Sequence, residues 1–365
     1  MRLAILSHSA RIYTQMAQRE GFEVLAIDAF ADADTQQAAK AIYQWPGLYE
    51  QRGGHDMASL FKSIDAFEPD ALLVGSGFEA DQTAYGALFA RYRVLGNTPD
   101  AVVRVKNPQW LKAFCDAQGV NSPDIAMQRP QSGQWLVKQV GQCGGSHVYH
   151  WQEALDAAES SYWQGLQPGQ AVGILFVAHA GTFTLIGVHA LKQQAGSYTY
   201  AGATVMHNNA LYASANRLLQ AMVPELGLVG VNSIDAIWHE EALHVIEVNP
   251  RLSASMRLYA HLPLIQAHIA SCQQQALPDL PLKTKHASHC IAYAKKEIDL
   301  SQLTFPDWLE DRPSGGNAAA GQPVCSLYAE GHSDSEVLQA LQDKKTRLEK
   351  LWGTYVCDHI EFNIH

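Results

Sequence analysis

The sequence predicts an α/β chain that opens on a parallel sheet and continues into an α+β region. In the first hundred residues, short apolar runs alternate with helical segments, the arrangement that puts helices on both faces of a parallel sheet. Residues 3–6 are a buried-strand candidate. Residues 12–20 have helical character and are closed by Gly21. A second strand is expected at 22–27 and a third at Ala71–Val74, introduced by Pro69 and followed by Gly75 and Gly77. Val94–Leu95 then leads into Gly96 and Asn97. The start is Rossmann-like, yet the loop after the first strand carries no GxGxxG, and Gly-Ser-Gly at 75–77 is too short to replace it. A dinucleotide site is therefore unsupported.

Beyond residue 100 the punctuation changes. Asn107 followed by Pro108 is a helix start, a capping side chain ahead of proline at the first helical position. Trp110, Leu111 and Phe114 repeat at helical spacing, and Gly119 ends the element. Strand patterns follow at 135–140, 171–177, 183–188 and 243–248, with a helix at 207–226. From near Pro278 a third zone carries Pro and Gly punctuation and short β runs. Its closing helix starts at Ser333, where Ser333 and Glu336 form a capping box and Leu338, Leu341, Leu348 and Leu351 line one face. The expected organisation is an N-terminal domain at 1–100, a two-lobed region at 101–275 and a small β-rich region at 276–365.

Composition narrows the function classes. Of 365 residues, 47% are hydrophobic and 17% charged, so sizeable cores can form. Thirty-six acids against 26 bases leave a formal charge of −10, which argues against nucleic acid or an anionic membrane as the main partner. No stretch approaches the roughly 18 apolar residues of a membrane span. The opening apolar run of four is far short of a secretion leader. The six cysteines are scattered and form no CxxC, as in reduced thiols. A cytoplasmic protein is expected.

Three segments carry chemistry. The first, WLVKQVGQCGGSHV at 135–148, sets Lys138 on a strand before a loop with Gly141, Gly144 and Gly145. Glycines let backbone N–H groups close on phosphate oxygens. The lysine precedes the glycines and no GK[ST] follows, so this is not a Walker A loop. Taken alone, the segment also fits a glycine-rich hairpin with a solvated lysine. The second, residues 226–251, brings Asp235, Glu247 and Asn249 together. Glu247 and Asn249 lie two apart on a strand and share a face, with Ile246 and Val248 expected to point into a core. Two carboxylates and an amide oxygen make an all-oxygen site suited to Mg²⁺. A solvated edge strand would leave unexplained a carboxylate within the apolar run 245–248. Arg251 follows Pro250 and could hold a transferring phosphoryl group. The third segment, 161–176, is a polar hinge opening into a strand.

Lys138 with its glycine loop, the hinge, and Asp235 with IEVNPR resemble, in order and spacing, the ATP-grasp superfamily, which includes biotin carboxylase and D-alanine–D-alanine ligase. The match is similar to the subgroup of predicted ATP-dependent carboligases, through IGVHALKQ (186–193), YAG (200–202) and DRPSGGNAAAGQPVCSLYAEG (311–331). The resemblance implies an ATP-grasp fold preceded by a pre-ATP-grasp domain. It also implies ATP and Mg²⁺ as cofactors, with Mn²⁺ an alternative metal. Lys138 resembles the lysine on the α- and β-phosphates. Gly141, Gly144, Gly145 and Ser146 resemble the lid, and Gln164, Gly165, Leu166 and Gln167 the linker at the adenine edge. Asp235, Glu247 and Asn249 resemble the metal ligands, and Arg251 the arginine that stabilises phosphoryl transfer. Family members often carry a ribose-binding acid in the hinge, where this chain has Gln167 and Gln170. Lys106 stands near the position of an earlier nucleotide-binding lysine.

The implied activity is ADP-forming ligation of a small-molecule carboxylate to an amine or thiol through an acyl phosphate, with cofactor biosynthesis one setting and a homodimer one assembly. The rivals are a biotin- or bicarbonate-using carboxylase and a non-catalytic nucleotide-binding regulator. His286 and His289, three apart, would share a metal only on a helix, and lack a third ligand in the local sequence. His8, after the first strand, stands where α/β proteins place ligands, yet for all three histidines a surface or satisfied-core residue is the favoured reading.

Overall fold

The computed structural model describes residues 1–45, 56–79, 81–150, 160–282 and 285–364. Five parallel strands, β1 (Arg2–Leu6), β2 (Glu23–Asp28), β3 (Ala41–Gln44), β4 (Ala71–Val74) and β5 (Val94–Leu95), form a sheet in the order β3-β2-β1-β4-β5. Each predicted N-terminal strand is present within two residues. The strand order reverses between β1 and β4, and the loops beyond their carboxyl ends carry His8, Ser76 and Gly77, the crevice where open α/β sheets take ligands. Close packing there requires glycine: a Cβ on Gly75 would lie 2.5 Å from Ser7 Oγ.

The helix Pro99–Lys106 leads out of this unit, capped by Thr98 with Pro99 at its first position. The next helix, Pro108–Ala117, starts as the sequence predicts, with the Asn107 side chain accepting from Trp110 N–H at 3.0 Å. Two antiparallel sheets follow. The smaller joins β6 (Ile125–Ala126), β7 (Trp135–Gln139), β8 (Tyr149–His150) and β9 (Ser161–Gly165) in the order β6-β9-β7-β8, so the expected polar hinge begins inside a strand. The larger contains β10 (Gln170–His179), β11 (Thr182–Gln193), β12 (Tyr200–Val205), β13 (Gly230–His239) and β14 (Ala242–Asn249). Helix Asn209–Leu226 covers it, burying Leu211, Ala215, Leu218, Leu219 and Met222 against Val172, Ile174 and Phe176 of β10.

The C-terminal β runs are longer than their punctuation suggests. β15 (His286–Ala294) pairs with β12, so the central sheet continues as β14-β13-β10-β11-β12-β15-β18. The short pair β16 (Ile298–Asp299) and β17 (Asn317–Ala318) comes before β18 (Pro323–Gly331), and β19 (Ile360–Phe362) closes against β15. A buried ionic cluster fastens this region to the first sheet's helices. Arg11 meets Glu310 at 2.8 Å and Asp34 at 3.5 Å and also bonds Asp311, which takes a second guanidinium from Arg257 at 3.1 Å. The fully buried Arg11 charge is tolerated because carboxylates pair it.

Two sequence expectations about the closing helix need correction. The closing helix, Asp334–Trp352, buries Val337, Leu341, Leu348 and Trp352, while Leu338 and Leu351 are exposed. The buried stripe runs one position away from the leucines because Val337 and Trp352 complete it. Ser333 caps the helix through Glu336 N–H, but the Glu336 carboxylate accepts from His332 N–H rather than completing a box with Ser333. His286 and His289 lie on a strand, which sends residues three apart to opposite faces. Among the described residues no helix is long and apolar enough to cross a membrane.

Candidate active site

A cleft of about 1330 Å³ runs between the two antiparallel sheets and reaches the crevice of the parallel sheet. Its floor is the β13–β14 hairpin. Asp235 stands directly across from Glu247, and Ser233 across from Asn249. The Asn249 amide donates to Asp235 Oδ2 at 3.1 Å. The ladder slips by one residue after Asp235, so Val245 and Val248 both enter the core while Ile246 lines the cleft. The expectation that Ile246 points inward fails at this bulge, which inverts the alternation locally. Ile246 instead presents its carbonyl to the Gln164 side chain at 3.3 Å.

Three cations surround this floor. Lys106, the last residue of its helix, bonds Glu247 and reaches Asn249 Oδ1 at 2.9 Å. Arg251 donates to Asn249 Oδ1 at 3.2 Å and to Glu79 Oε1 at 2.6 Å. Lys138 stands on β7 facing the same cleft. Burial alone would raise Glu247, but Lys106, Lys138 and Arg251 outweigh it and hold the carboxyl below its usual range. Asp235 goes the other way, raised by burial and then by the Glu247 charge. Burial lowers Lys138, partly offset by Glu247 and Asp235.

The donor set fits a hard divalent cation on the evidence of Lys106. Its ammonium sits among Glu247 and Asn249 oxygens, so a positive charge already occupies this all-oxygen corner. Asp235, Glu247 and Asn249 are thus brought together as the sequence predicts, with Lys106 and Arg251 against them.

The glycine loop joins β7 to β8. Gly141, Gly144 and Gly145 all adopt positive φ, between 78° and 80°, open to glycine and strained for other residues. Tyr200 N–H donates to Gly144 C=O at 2.9 Å, docking the loop on the start of β12. A Cβ on Gly145 would stand 1.9 Å from the Tyr198 carbonyl oxygen, whereas one on Gly144 meets nothing within 4 Å. Gly145→Ala therefore combines backbone strain of roughly 1–3 kcal/mol with a clash, and Gly144→Ala carries the strain alone. We expect Gly145→Ala to weaken ATP·Mg²⁺ binding more than Gly144→Ala. Calorimetric titration of both checks this, and equal affinities would contradict the docked arrangement. In the wild type, amide exchange at 141–146 should slow when ATP and Mg²⁺ are added.

Ser146, Gln164, Gly165, Leu166 and Gln167 also line the cleft. Gly165 N–H donates to Asp124 C=O and Leu166 N–H to Gln134 C=O, both at 2.9 Å, which fixes the linker between the sheets. Gln170 is exposed at the start of β10 and does not line the cleft, although Gln167 does. Cys143 lies inside the loop, and burial pushes its thiol up to about 12, so it is a neutral thiol rather than a nucleophile. His8 lines the crevice end of the cleft and is lowered by burial to about 4, against the pull of Glu79. Its imidazole is neutral at pH 7.

Sequence reasoning gives no role to Glu79, which projects from the loop after β4 and holds Arg251 across a sequence separation of 172 residues. Its signal was an acid beside Gly-Ser-Gly at the carboxyl end of a central strand.

Residues 108–255 match the family model of the ATP-grasp domain. This segment is an ATP-grasp domain. No curated protein sequence matches the chain. Among solved structures, a biotin carboxylase–β,γ-ATP complex from Campylobacter jejuni superposes with a TM-score of 0.73 at 12% identity, covering 99% of this chain and 91% of that one. N5-carboxyaminoimidazole synthetase from Staphylococcus aureus, complexed with ADP, gives 0.70 at 15% identity, covering 95% and 97%. The biotin carboxylase domain dimer of Hydrogenobacter thermophilus 2-oxoglutarate carboxylase, in complex with MgADP and bicarbonate, gives 0.70 at 10% identity, covering 99% and 90%. The chain shares their fold across nearly its whole length, and within 108–255 Lys138 and the glycine loop lie on one sheet and the acidic hairpin on the other.

Proposed function

We propose that this protein is an ATP-dependent, ADP-forming ligase that joins a small-molecule carboxylate to an amine or thiol through an acyl phosphate. The observation that carries the reading is the convergence of Asp235, Glu247 and Asn249 with Lys106, Lys138 and Arg251, all buried or half-buried, on the floor of one cleft. A solvated edge strand has no need of such a set, since each buried charge would cost several kcal/mol without its partners. The N-terminal crevice around His8, Ser76 and Gly77 is our proposed site for the acid and its acceptor.

In this reading Asp235, Glu247 and Asn249 would hold Mg²⁺, which when bound supplies neutralising charge to the nucleotide phosphates. Lys138 and Lys106 bind the phosphates, and the loop 141–146 excludes water above them. Arg251, oriented by Glu79, faces the charge that develops as a carboxylate oxygen bonds the γ-phosphorus and the bond to ADP breaks. The amine or thiol then attacks the acyl carbon, phosphate leaves, and the acceptor's proton passes to solvent. No side-chain nucleophile is needed, consistent with a neutral Cys143.

The test is ADP formation with a panel of carboxylic acids, with and without hydroxylamine to trap the activated acyl group. ADP with a matching hydroxamate is the expected result. ADP formed only with bicarbonate would assign a carboxylase, and nucleotide binding without ADP under any acid would assign a regulator.

A further inference from the structure

Outside the nucleotide cleft, three metal-ligating side chains meet from three elements. His207 follows β12, His286 opens β15, and Asp334 begins the closing helix. The two imidazole rings stand 3.8 Å apart between centroids, tilted by 33°. His286 Nδ1 lies 2.7 Å from Asp334 Oδ1, and one ligand atom from each of the three falls within 4.8 Å of the others. None of the three lines the ATP cleft.

Sheet register builds this arrangement. Thr204 pairs with Ser288 across β12 and β15, and their hydroxyls are 2.7 Å apart, so the chain leaving β12 passes beside His286. On the other side His286 pairs with Gly331, from which the chain turns through the Ser333 cap into Asp334. Two rings this close cannot both carry charge without repulsion, whereas two neutral imidazoles and one carboxylate can share a cation.

We propose that His207, His286 and Asp334 form a three-ligand site for a borderline divalent cation of the Zn²⁺ class. Imidazole nitrogen suits zinc, nickel and copper, while Mg²⁺ prefers the all-oxygen set at Asp235, Glu247 and Asn249. Three protein ligands leave a coordination position for solvent, and the Asp334 side chain is 70% exposed, so the cation enters directly from water. Its effect is to cross-link the closing helix to β15 and to the segment before helix Asn209–Leu226. The cation thereby clamps the C-terminal region onto the central sheet.

The test uses the full chain, freed of metal by a chelator and titrated with Zn²⁺ by calorimetry, with Co²⁺ absorption as the readout of coordination. The wild type is compared with His207→Ala, His286→Ala and Glu247→Gln, with melting curves as the folding control. Both histidine variants should lose one equivalent of Zn²⁺, with affinity reduced beyond the roughly 10- to 100-fold that losing an outer partner costs. Glu247→Gln should retain that equivalent. Zn²⁺ should raise the melting temperature of the wild type and Glu247→Gln but not of the histidine variants. His207→Ala alters an exposed loop residue, so it tests the site even if His286→Ala folds poorly. Unchanged Zn²⁺ stoichiometry in His207→Ala, or loss of all Zn²⁺ binding in Glu247→Gln, overturns the proposal. The proposed ligase activity enters none of these readouts.

Discussion

Glu247→Gln should reduce ADP formation on the order of 100-fold or more while the chain still folds. The change preserves shape and removes the charge that Lys106, Lys138 and Arg251 all act upon. It also leaves the Lys106 ammonium, whose side chain is 5% exposed, with amide oxygens in place of its bonded carboxylate. A modest fall in melting temperature is therefore expected beside the catalytic loss. The measurement is steady-state ADP release by both proteins, with thermal melting to verify folding. A well-folded variant with near wild-type turnover would remove Glu247 from the proposed metal site.

The second large effect lies at Glu79. Glu79 and Arg251 have side chains 4% and 12% exposed and bond at 2.6 Å, and Gly77 N–H donates to the other carboxylate oxygen at 2.9 Å. Burial would raise Glu79, but Arg251 and Lys106 overcome it and hold the carboxyl at about 2, below its ordinary 4.5. A depressed carboxyl stabilises the fold above the unfolded value, and that stability is lost as pH falls from 4.5 through 2. Glu79→Gln should cost roughly 3–5 kcal/mol at neutral pH, because the Arg251 charge stays buried without its partner. Its melting temperature should also vary less with pH in that acid window. Freed of Glu79, Arg251 moves off its position, and displacement of about 1 Å is worth on the order of 100-fold in rate. Denaturant unfolding from neutral to acid pH, together with ADP release, checks both parts. A variant as stable and as acid-sensitive as the wild type would contradict the assigned pairing.

Features set by neighbouring residues were legible in the sequence. The parallel strands other than β3, the Asn107–Pro108 helix start and the shared face of Glu247 and Asn249 all follow from local period and capping chemistry. Features set by distant partners were not. The bulge after Asp235 turns Ile246 into the cleft, and no residue type in that run announces it. Pairing of β12 with β15 draws the C-terminal strands into the central sheet, although their Pro and Gly punctuation reads as a separate zone. Glu79 meets Arg251 only because the crevice of the parallel sheet opens onto the cleft floor on the larger antiparallel sheet. Likewise His286 finds its neighbours in His207 and Asp334, and not in His289, because strand register decides which side chains meet.

The central claim is that the cleft floor is a magnesium-dependent ATP site. Its most direct test is calorimetric titration of the full chain with an ATP analogue that cannot transfer its γ-phosphate, with and without Mg²⁺, beside Lys138→Ala. One nucleotide per chain is expected, bound strongly only with Mg²⁺ and at least about 10-fold more weakly in Lys138→Ala, as for a lost charge-assisted contact of 1.5–3 kcal/mol. Binding that ignores both Mg²⁺ and Lys138, or no binding at all, would contradict it.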